Sequence, residues 1–358
     1  MKPTAFLLSV LLVMSGVFAG ASASVVAPVA GTEILITLGG DCTLASVEWA
    51  LRHPARSFDG HIERFGYAYP FAGIESVVAH DDLTVVNLEN VFYNGKKGRV
   101  DKKFSFKSAT DFAKILPAGS IEAVNIANNH ILDYGRQGLY STIEALENEG
   151  VGWFGATEHA AGTWIYEKNG IKIGFTGAYI GSWRTKRDAL SATFRELKEA
   201  GCDLIIASMH GGTEYTKRHD RHQTDMAHWM IGEGAALVFG HHPHVLQGVE
   251  VADGRTVLYS LGNLSFGGNP RLRADVSMLA QVRLVFGEDK TYLGHQLNLL
   301  PIRPSSTPEY NDYQPVLLTG DEAQAVIDRV QQDTPFALNP YVDGVGALQE
   351  FVPAPPND

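Results

Sequence analysis

An α/β fold is predicted by three features of the sequence. Short apolar runs rich in Val and Ile recur along it, amphipathic stretches closed by glycine lie between them, and a chain of 358 residues, 45% hydrophobic and 19% charged, can bury a large core. Strands covered on both faces read as near-continuous aliphatic runs rather than as strict alternation.

The elements follow in chain order. "MKPTAFLLSVLLVMSGVFAGASAS" (1–24) has an early lysine, an apolar stretch and then small residues, with an A-x-A site at Ala21, Ser22 and Ala23. That is the layout of a secretory signal peptide, and its apolar stretch is short for a membrane span. The expected division is a signal peptide over 1–23, one domain over 24–340 and a C-terminal tail over 341–358, with "FVPAPPND" reading as frayed chain. The folded part is expected outside the cytoplasm, in the periplasm or cell envelope, and membrane-associated if the leader stays as an anchor.

Seven apolar runs read as buried strands: "EILITLG" (33–39), "LTVVNL" (83–88), "IEAVNIA" (121–127), "IKIGFTG" (171–177), "DLIIASM" (203–209), "AALVF" (235–239) and "TVLYSL" (256–261). Three stretches read as helices. "GRQGLYSTIEALENEG" (135–150) and "ATFRELKEAG" (192–201) end on glycine caps, and "RHQTDMAHWMIGEG" (221–234) spaces Met226, Trp229 and Met230 along one face. Residues 277–299 read as extended, hairpin-like chain.

The formal charge is −11, and removal of Lys2 with the leader leaves 28 basic residues against 40 acidic ones. Nucleic acid is therefore excluded as a partner, because phosphate binding rests on clustered Lys and Arg. The two cysteines, Cys42 and Cys202, end one apolar run and precede another, an arrangement that keeps them apart at opposite sheet edges and unpaired.

Polar residues fall where the apolar runs stop. Asp41 follows the first run, Glu89 the second, Asn128, Asn129 and His130 the third, His210 with Glu214 the fifth, and His241, His242 and His244 the sixth. In an open α/β sheet the carboxyl ends of the strands share one rim, where ligands bind, so residues distant in sequence converge there. One such residue is usually a turn or a cap; five strand ends in a row indicate a site. Carboxylate, amide oxygen and imidazole together suit divalent cations.

The segments "GD", "NLEN", "NNHILDYG", "HGGTEY", "GHHPHVLQ" and "YSLGNLSF" stand in the order seen in the CapA family of poly-γ-glutamate capsule biosynthesis proteins, which this chain resembles over roughly residues 34–266. That family is similar to the calcineurin-like metallophosphoesterases. The resemblance implies a four-layer αββα sandwich with a site for two divalent metals, Mn, Fe or Zn, at the strand ends. It implies Asp41 as the first aspartate ligand and Glu89 in place of the acidic ligand that bridges the metals. Asn129 stands as a ligand beside His130, which acts on the leaving group; His210 stands as the single later histidine, and His242 with His244 as the ligand pair. His241 is then a neighbour. Asp133, close to His130, is placed to hold its ring in one tautomer. The chain departs from the metallophosphoesterase pattern after Asp41, where Cys42 and Thr43 replace the expected histidine two residues on.

What the resemblance implies is an exported metal-dependent hydrolase involved in biosynthesis, release or processing of an anionic capsule polymer such as poly-γ-glutamate, by phosphoester or γ-glutamyl amide cleavage. The alternative is a non-catalytic polymer-binding component of a capsule synthesis and export complex in the membrane, which the missing histidine favours. Arg184, Lys186 and Arg187 offer counter-charge for a polyanion on the same rim, with Lys102, Lys103 and Lys107 a second basic group. Glu214, His219 and His222 read either as support for the site or as a solvated helix start, and Asn263 as a turn residue or a residue orienting a loop at the site.

Overall fold

The computed structural model describes residues 31–155, 162–269 and 271–355, so the expected signal peptide lies outside the described residues. The first part supplies β1 (Gly31–Thr43), α1 (Phe58–Phe65), α2 (Glu75–Val78), β2 (Leu83–Leu88), β3 (Val91–Phe92) and β4 (Lys107–Ser108). After them come α3 (Ile115–Ala118), β5 (Ala123–Asn125), α4 (Gly135–Asn148), β6 (Gly152–Phe154), β7 (Trp164–Lys168) and β8 (Ile171–Tyr179). Next in the chain are α5 (Ile180–Thr185), α6 (Arg187–Glu199), β9 (Leu204–His210), α7 (Arg221–Glu233), β10 (Leu237–His241), β11 (Val249–Ala252) and β12 (Arg255–Leu258). The last are β13 (Asn263–Phe266), β14 (Ser277–Gly287), β15 (Tyr292–Arg303), β16 (Val316–Leu317), α8 (Gly320–Gln331) and β17 (Ala347–Pro353).

All seven apolar runs are strands, and the three amphipathic stretches are α4, α6 and α7. The strands form two large sheets. One runs β16-β15-β14-β1-β2-β5-β6, with β13 added to β1 and β17 to β15; the other runs β11-β12-β10-β9-β8-β7. β14 and β15 are the expected hairpin. β3 and β4 make a small separate ribbon.

Period-two alternation decides the layering. Ile34, Ile36 and Leu38 of β1, Leu83 and Val85 of β2, Ile173 and Phe175 of β8, Leu204 and Ile206 of β9, and Leu237 and Phe239 of β10 all join one buried cluster between the sheets. The intervening residues face outward. Val86, Leu88, Val124 and Ile126 pack against Phe58, Ile62, Leu139 and Leu146 of α1 and α4. Ile205, Ala207, Met209 and Val238 pack against Phe194, Leu197, Met226 and Met230 of α6 and α7. Helices, sheet, sheet, helices: the four-layer αββα sandwich is present. Among the described residues no helix is long and apolar enough to cross a membrane.

Two helix ends follow directly from sequence. Asp220 caps α7 by accepting from the backbone N–H of His222 and Gln223, while the Gln223 side chain reaches back to the Asp220 backbone N–H, a reciprocal capping box. Gly234 ends the same helix in the left-handed region at φ +115°, where a side chain would be strained.

Two expectations are corrected. Cys42 and Cys202 are free, but they lie against the helices on the outer faces of different sheets, not at opposite edges of one. Residues 347–353, assigned to a tail, form β17, which pairs antiparallel with β15 from Gly294↔Pro353 to Leu299↔Ala347 and buries Ala347 in the core between the sheets. The sequence signal was masked because "ALQEFVP" carries no run of aliphatic residues; an edge strand buried on one face needs none. Deleting residues 341–358 is therefore expected to lower the thermal midpoint by roughly 4–8 °C or more, the effect of a loss of a few kcal/mol in a domain of this size. Circular dichroism melting of the truncated chain checks this, and an unchanged midpoint would mean that β17 adds nothing to the fold.

Candidate metal centre

Parallel register builds the floor of the site. In the first sheet Asn263, Asp41, Asn87 and Asn125 are successive cross-strand neighbours on β13, β1, β2 and β5. In the second sheet Tyr179, His210 and His241 form the facing row on β8, β9 and β10. Each of these residues continues the inward-facing stripe of its strand, so the aliphatic core between the sheets changes to polar residues at the carboxyl ends.

Asp41 reaches this row through a bulge. Leu38 pairs with Val85 but Asp41 pairs with Asn87, so β1 spends one more residue than β2 over Gly39 and Gly40. The extra residue reverses the alternation: Leu38 and Asp41 both face the second sheet, and Cys42 and Leu44 face the helices. Gly40 is required there, since a Cβ at that position would lie 2.0 Å from the Gly262 carbonyl oxygen.

The histidine loop is shaped by backbone strain. β10 ends at His241; His242 and His244 then adopt φ of +96° and +59° on either side of Pro243. Left-handed backbone at non-glycine residues costs roughly 1–3 kcal/mol each and persists only where the surroundings impose it. Here it brings the His242 and His244 rings within 6.2 Å of each other and lets the His242 N–H donate to Asp41 Oδ2 at 3.1 Å.

The expected ligands converge. Glu89, His210 and His242 bring one donor atom each within 4.8 Å of one another, and so do Asp41, Glu89 and His244. Asn129 Oδ1 lies 2.7 Å from His210 Nε2, which is 3.5 Å from Glu89 Oε1. On the other side His244 Nδ1 is 2.9 Å from Asn263 Oδ1, 3.3 Å from Asp41 Oδ2 and 3.9 Å from Glu89 Oε2. Glu89 belongs to both groups.

These donors fit divalent cations. Glu89 is fully buried, yet neither carboxylate oxygen has a hydrogen-bond partner among the described residues, and His242 Nδ1 is likewise unpartnered. A buried carboxylate without partners is costly unless a cation meets it. Imidazole, carboxylate and amide oxygen suit Mn, Fe or Zn.

His130 stands beside the cluster, with its Nδ1 2.7 Å from Asp133 Oδ2. Asp133 is buried, also accepts from the Phe106 backbone N–H at 2.7 Å, and pairs with Lys102, whose ammonium donates to the Asn129 carbonyl at 2.8 Å. Asn128 pins the loop, its side chain donating to the Leu88 carbonyl and accepting from the N–H groups of His130 and Ile131.

The electrostatics of the metal-free cluster follow from burial. Burial alone would raise the Asp41 pKa, but the hydrogen bond and charge of His244, with His241 and His210 behind it, hold it well below the usual carboxylate range. Burial and the nearby Asp41 charge push Glu89 well above its ordinary value. His244 works against its own burial: Glu89 and the Asp41 hydrogen bond raise it to about 10. Burial lowers His241 to about 4, burial with the charge of His244 lowers His242 to about 4, and His210 falls well below its ordinary value by burial and the charge of His242. Raised proton affinity at His244 and Glu89 thus stands where cations would supply the charge balance.

The position two residues after Asp41 delivers no ligand ring. Thr43 directs its hydroxyl to the Glu89 carbonyl at 3.5 Å. Cys42 faces the helices, its thiol pushed up to about 12 by burial, so no thiolate substitutes.

Of the basic residues, Lys186 lines a cavity of about 230 Å³ bounded by Asn129 and Tyr179, and Arg187 lies over the Trp183 ring at 4.2 Å. Arg184, on α5, is exposed and lines none of the cavities described here. Lys107 donates to the Gly95 carbonyl and Lys103 sits over Phe104. Glu214 lines the cavity above the site, whereas His219 stacks on Tyr259 at 3.7 Å and bonds Asp333, and His222 lies in the first turn of α7. Asn263 touches His244 rather than serving as a turn. Sequence reasoning missed Asn87 and Asn125, which carry an amide chain from Asn125 through Asn87 to Asp41 at 2.8 and 2.7 Å, and treated the fully buried His241 as a bystander. Continuing the inward stripe of each strand by two residues would have found all three.

Residues 35–267 match the family described as "Bacterial capsule synthesis protein PGA_cap". The capsule biosynthesis protein CapA of Bacillus anthracis is 29% identical over 57% of this chain and 55% of its own length. The PGA biosynthesis protein CapA of Bacillus subtilis strain 168 is 30% identical over 55% and 56% respectively. The chain thus matches only about half the length of these curated relatives. A probable polyglutamine synthesis accessory protein of Mycobacterium tuberculosis is 24% identical over 69% of the chain and 79% of that protein. Among solved structures, a putative 5'-nucleotidase from Staphylococcus aureus superposes with a TM-score of 0.47 at 10% identity, over 84% of this chain and 58% of that one.

Two outcomes follow from the cluster. His244 holds its proton more tightly folded than unfolded, so its contribution to stability is whole below pH 6.5 and lost as pH rises toward 10. Glu89, also raised, acts in the same direction, whereas His241 and His242 contribute fully above pH 6.5 and lose it as pH falls through 4. The cluster therefore makes metal-free stability peak near pH 6.5. Melting in EDTA across the pH range checks this, and an alkaline limb unchanged in His244→Gln would refute it. Glu89→Gln removes the unpartnered carboxylate: the metal-free chain should melt a few degrees higher above pH 7, while the rise in midpoint on adding Mn or Zn disappears.

Proposed function

Because the chain belongs to the bacterial capsule synthesis protein PGA_cap family, we propose that it takes part in making, releasing or processing an anionic capsule polymer such as poly-γ-glutamate, as an exported metal-dependent hydrolase. The observation that carries the hydrolytic part is Glu89, a buried carboxylate shared between two donor groups with both oxygens unpartnered among the described residues. The leader-like sequence of residues 1–23 supports export, and the names of the Bacillus relatives support the polymer.

Asp41, Glu89, Asn129, His210, His242 and His244 would hold two divalent cations, which when bound supply a water nucleophile at neutral pH and charge for a developing oxyanion. The rest is done by side chains. Asp133 fixes the His130 ring through Nδ1, which leaves Nε2 to carry the proton given to the leaving oxygen or nitrogen. Burial lowers the His130 pKa despite the hydrogen bond and charge of Asp133, which makes the imidazolium a stronger acid toward the leaving group while reducing its share at neutral pH. Lys102 neutralises Asp133 and ties the Asn129 carbonyl, so ligand and proton donor stay in register. The scissile bond is a phosphoester or a γ-glutamyl amide.

Thr43, in the place of a ligand histidine, favours the second reading, a polymer-binding component of a synthesis and export complex that does not cleave. Elemental analysis of the purified mature chain, followed by assays with Mn or Zn on aryl phosphates and on poly-γ-glutamate, separates the two. For a hydrolase, about two metals per chain are expected, with kcat falling roughly 10²–10⁴-fold in His130→Gln and by less in Asp133→Asn. Trace metal and no turnover, with polymer still bound, selects the binding component.

A further inference from the structure

Two cavities flank the cluster, one at each side. On the β5 and β8 flank, the cavity of about 230 Å³ is bounded by Asn129, Tyr179, Ser182 and Lys186. On the flank of β1, β13 and the loop after β10, a second of about 320 Å³ is bounded by Trp49, Phe104, Phe106, Phe266, Arg271 and Arg273, with His130 and His244 on its inner side. The strand order β13-β1-β2-β5 and the facing order β10-β9-β8 place Asp41, Glu89 and His210 between them. Asn129 belongs to the first cavity and bonds His210 of the cluster; His244 belongs to the second and meets Asp41 and Glu89.

We propose that a linear polyanion lies across the cluster, one acidic side group held by Lys186 and another by Arg271 and Arg273, so that an internal bond rather than a chain end faces His130. This rests on the polymer reading above and adds the mode of binding. The chemistry differs on the two sides. Lys186 offers a point charge beside amide and hydroxyl groups. Beyond the cluster, aromatic faces alternate with guanidinium, the pairing that suits an aliphatic backbone carrying carboxylates: rings pack on methylenes and the forks take the acids. Arg273 is held over the Tyr215 ring at 5.2 Å, and Glu214 on the same wall repels a carboxylate toward the arginines, which fixes the register. Trp49 and Phe104 remain about half exposed, at 55% and 49%, as the wall of an open cleft would. On a chain of net charge −11, these cations flanking the cluster supply local counter-charge for a polyanion.

The test is equilibrium binding of fluorescein-labelled poly-γ-glutamate to the full mature chain, read by anisotropy in EDTA so that no turnover intervenes. Lys186→Gln and Arg273→Gln should each weaken binding about tenfold, and together about a hundredfold, because charge-assisted contacts at separated sites add. Arg273→Lys should recover part of the loss, and unlabelled γ-glutamylglutamate, too short to reach both flanks, should compete only weakly. If one flank's substitution leaves the affinity unchanged, the chain does not cross the cluster and this inference fails while the polymer reading stands. If the wild-type chain binds no polymer, both fail.

Discussion

Two carboxylates buried in one cavity set the terms for the rest of this molecule. Asp41 and Glu89 are fully excluded from solvent and share a donor group within 4.8 Å. At that separation and an effective dielectric of 20, two negative charges repel by about 3–4 kcal/mol, before either is charged for leaving water. A fold of marginal net stability keeps such a pair only when something answers it. In the metal-free chain the answer is proton affinity, raised at both His244 and Glu89; with cations present the same donors are all free to bind. Metal affinity and proton affinity are one property of this cluster read in two directions.

The fold imposes this arrangement rather than merely tolerating it. The two sheets meet over an aliphatic interior that runs from Ile34 and Ile171 at one end to Leu38 and Phe239 near the other, and the strands are too firmly registered to let the polar row slip. Where the aliphatic stripe ends, Asn87 and Asn125 take over the inward positions and hold Asp41 by a chain of amide hydrogen bonds. The left-handed backbone at His242 and His244 is stored strain, held by the bond from the His242 N–H to Asp41 and by the loop bond from Tyr215 N–H to the Pro243 carbonyl at 2.8 Å.

Much of this was legible in the sequence, and the reasons for the exceptions are physical. Aliphatic runs located most strands that face both the other sheet and a helix layer, because double burial leaves little room for polar residues; β6, three residues long, puts Phe154 and Trp153 on its two faces without such a run. β17 was invisible for the opposite reason: as an edge strand on β15 it buries only alternate residues, and Gln349 can sit in it by donating to the Ala347 carbonyl. Asp41, Glu89, His210, His242 and His244 were found because they break apolar runs. Asn87 and Asn125 lie inside such runs and were read as part of them, although a buried amide within a strand is itself a sign that a partner is being held. Arg271 and Arg273 follow β13, a strand that none of the apolar runs marked, and so carried no signal in sequence; the chain after β13 brings them to the wall of the cavity that His244 also lines.

The absent histidine after Asp41 now has a structural account. β1 does not leave the sheet after Asp41 but continues through Thr43, which pairs with Phe266 of β13. The bulge at Gly39 and Gly40 has already turned Asp41 inward, and Thr43, two residues on, keeps that side but is short enough that its hydroxyl meets the Glu89 backbone carbonyl at 3.5 Å and brings no ring to the donor cluster. The same pairing brings Asn263 beside Asp41, and its amide oxygen reaches His244. The two donor groups are therefore unequal. Glu89, His210 and His242 with Asn129 offer two imidazoles, while Asp41, Glu89 and His244 with Asn263 offer one imidazole among oxygens. Ligand softness sets metal preference, so as a cation seat the second group would suit a harder ion than the first. The histidine that the resemblance to the metallophosphoesterases implies is thus missing from the group beside His244, where Asn263 Oδ1 lies 2.9 Å from the His244 ring, and this is the group that borders the arginine-lined cleft.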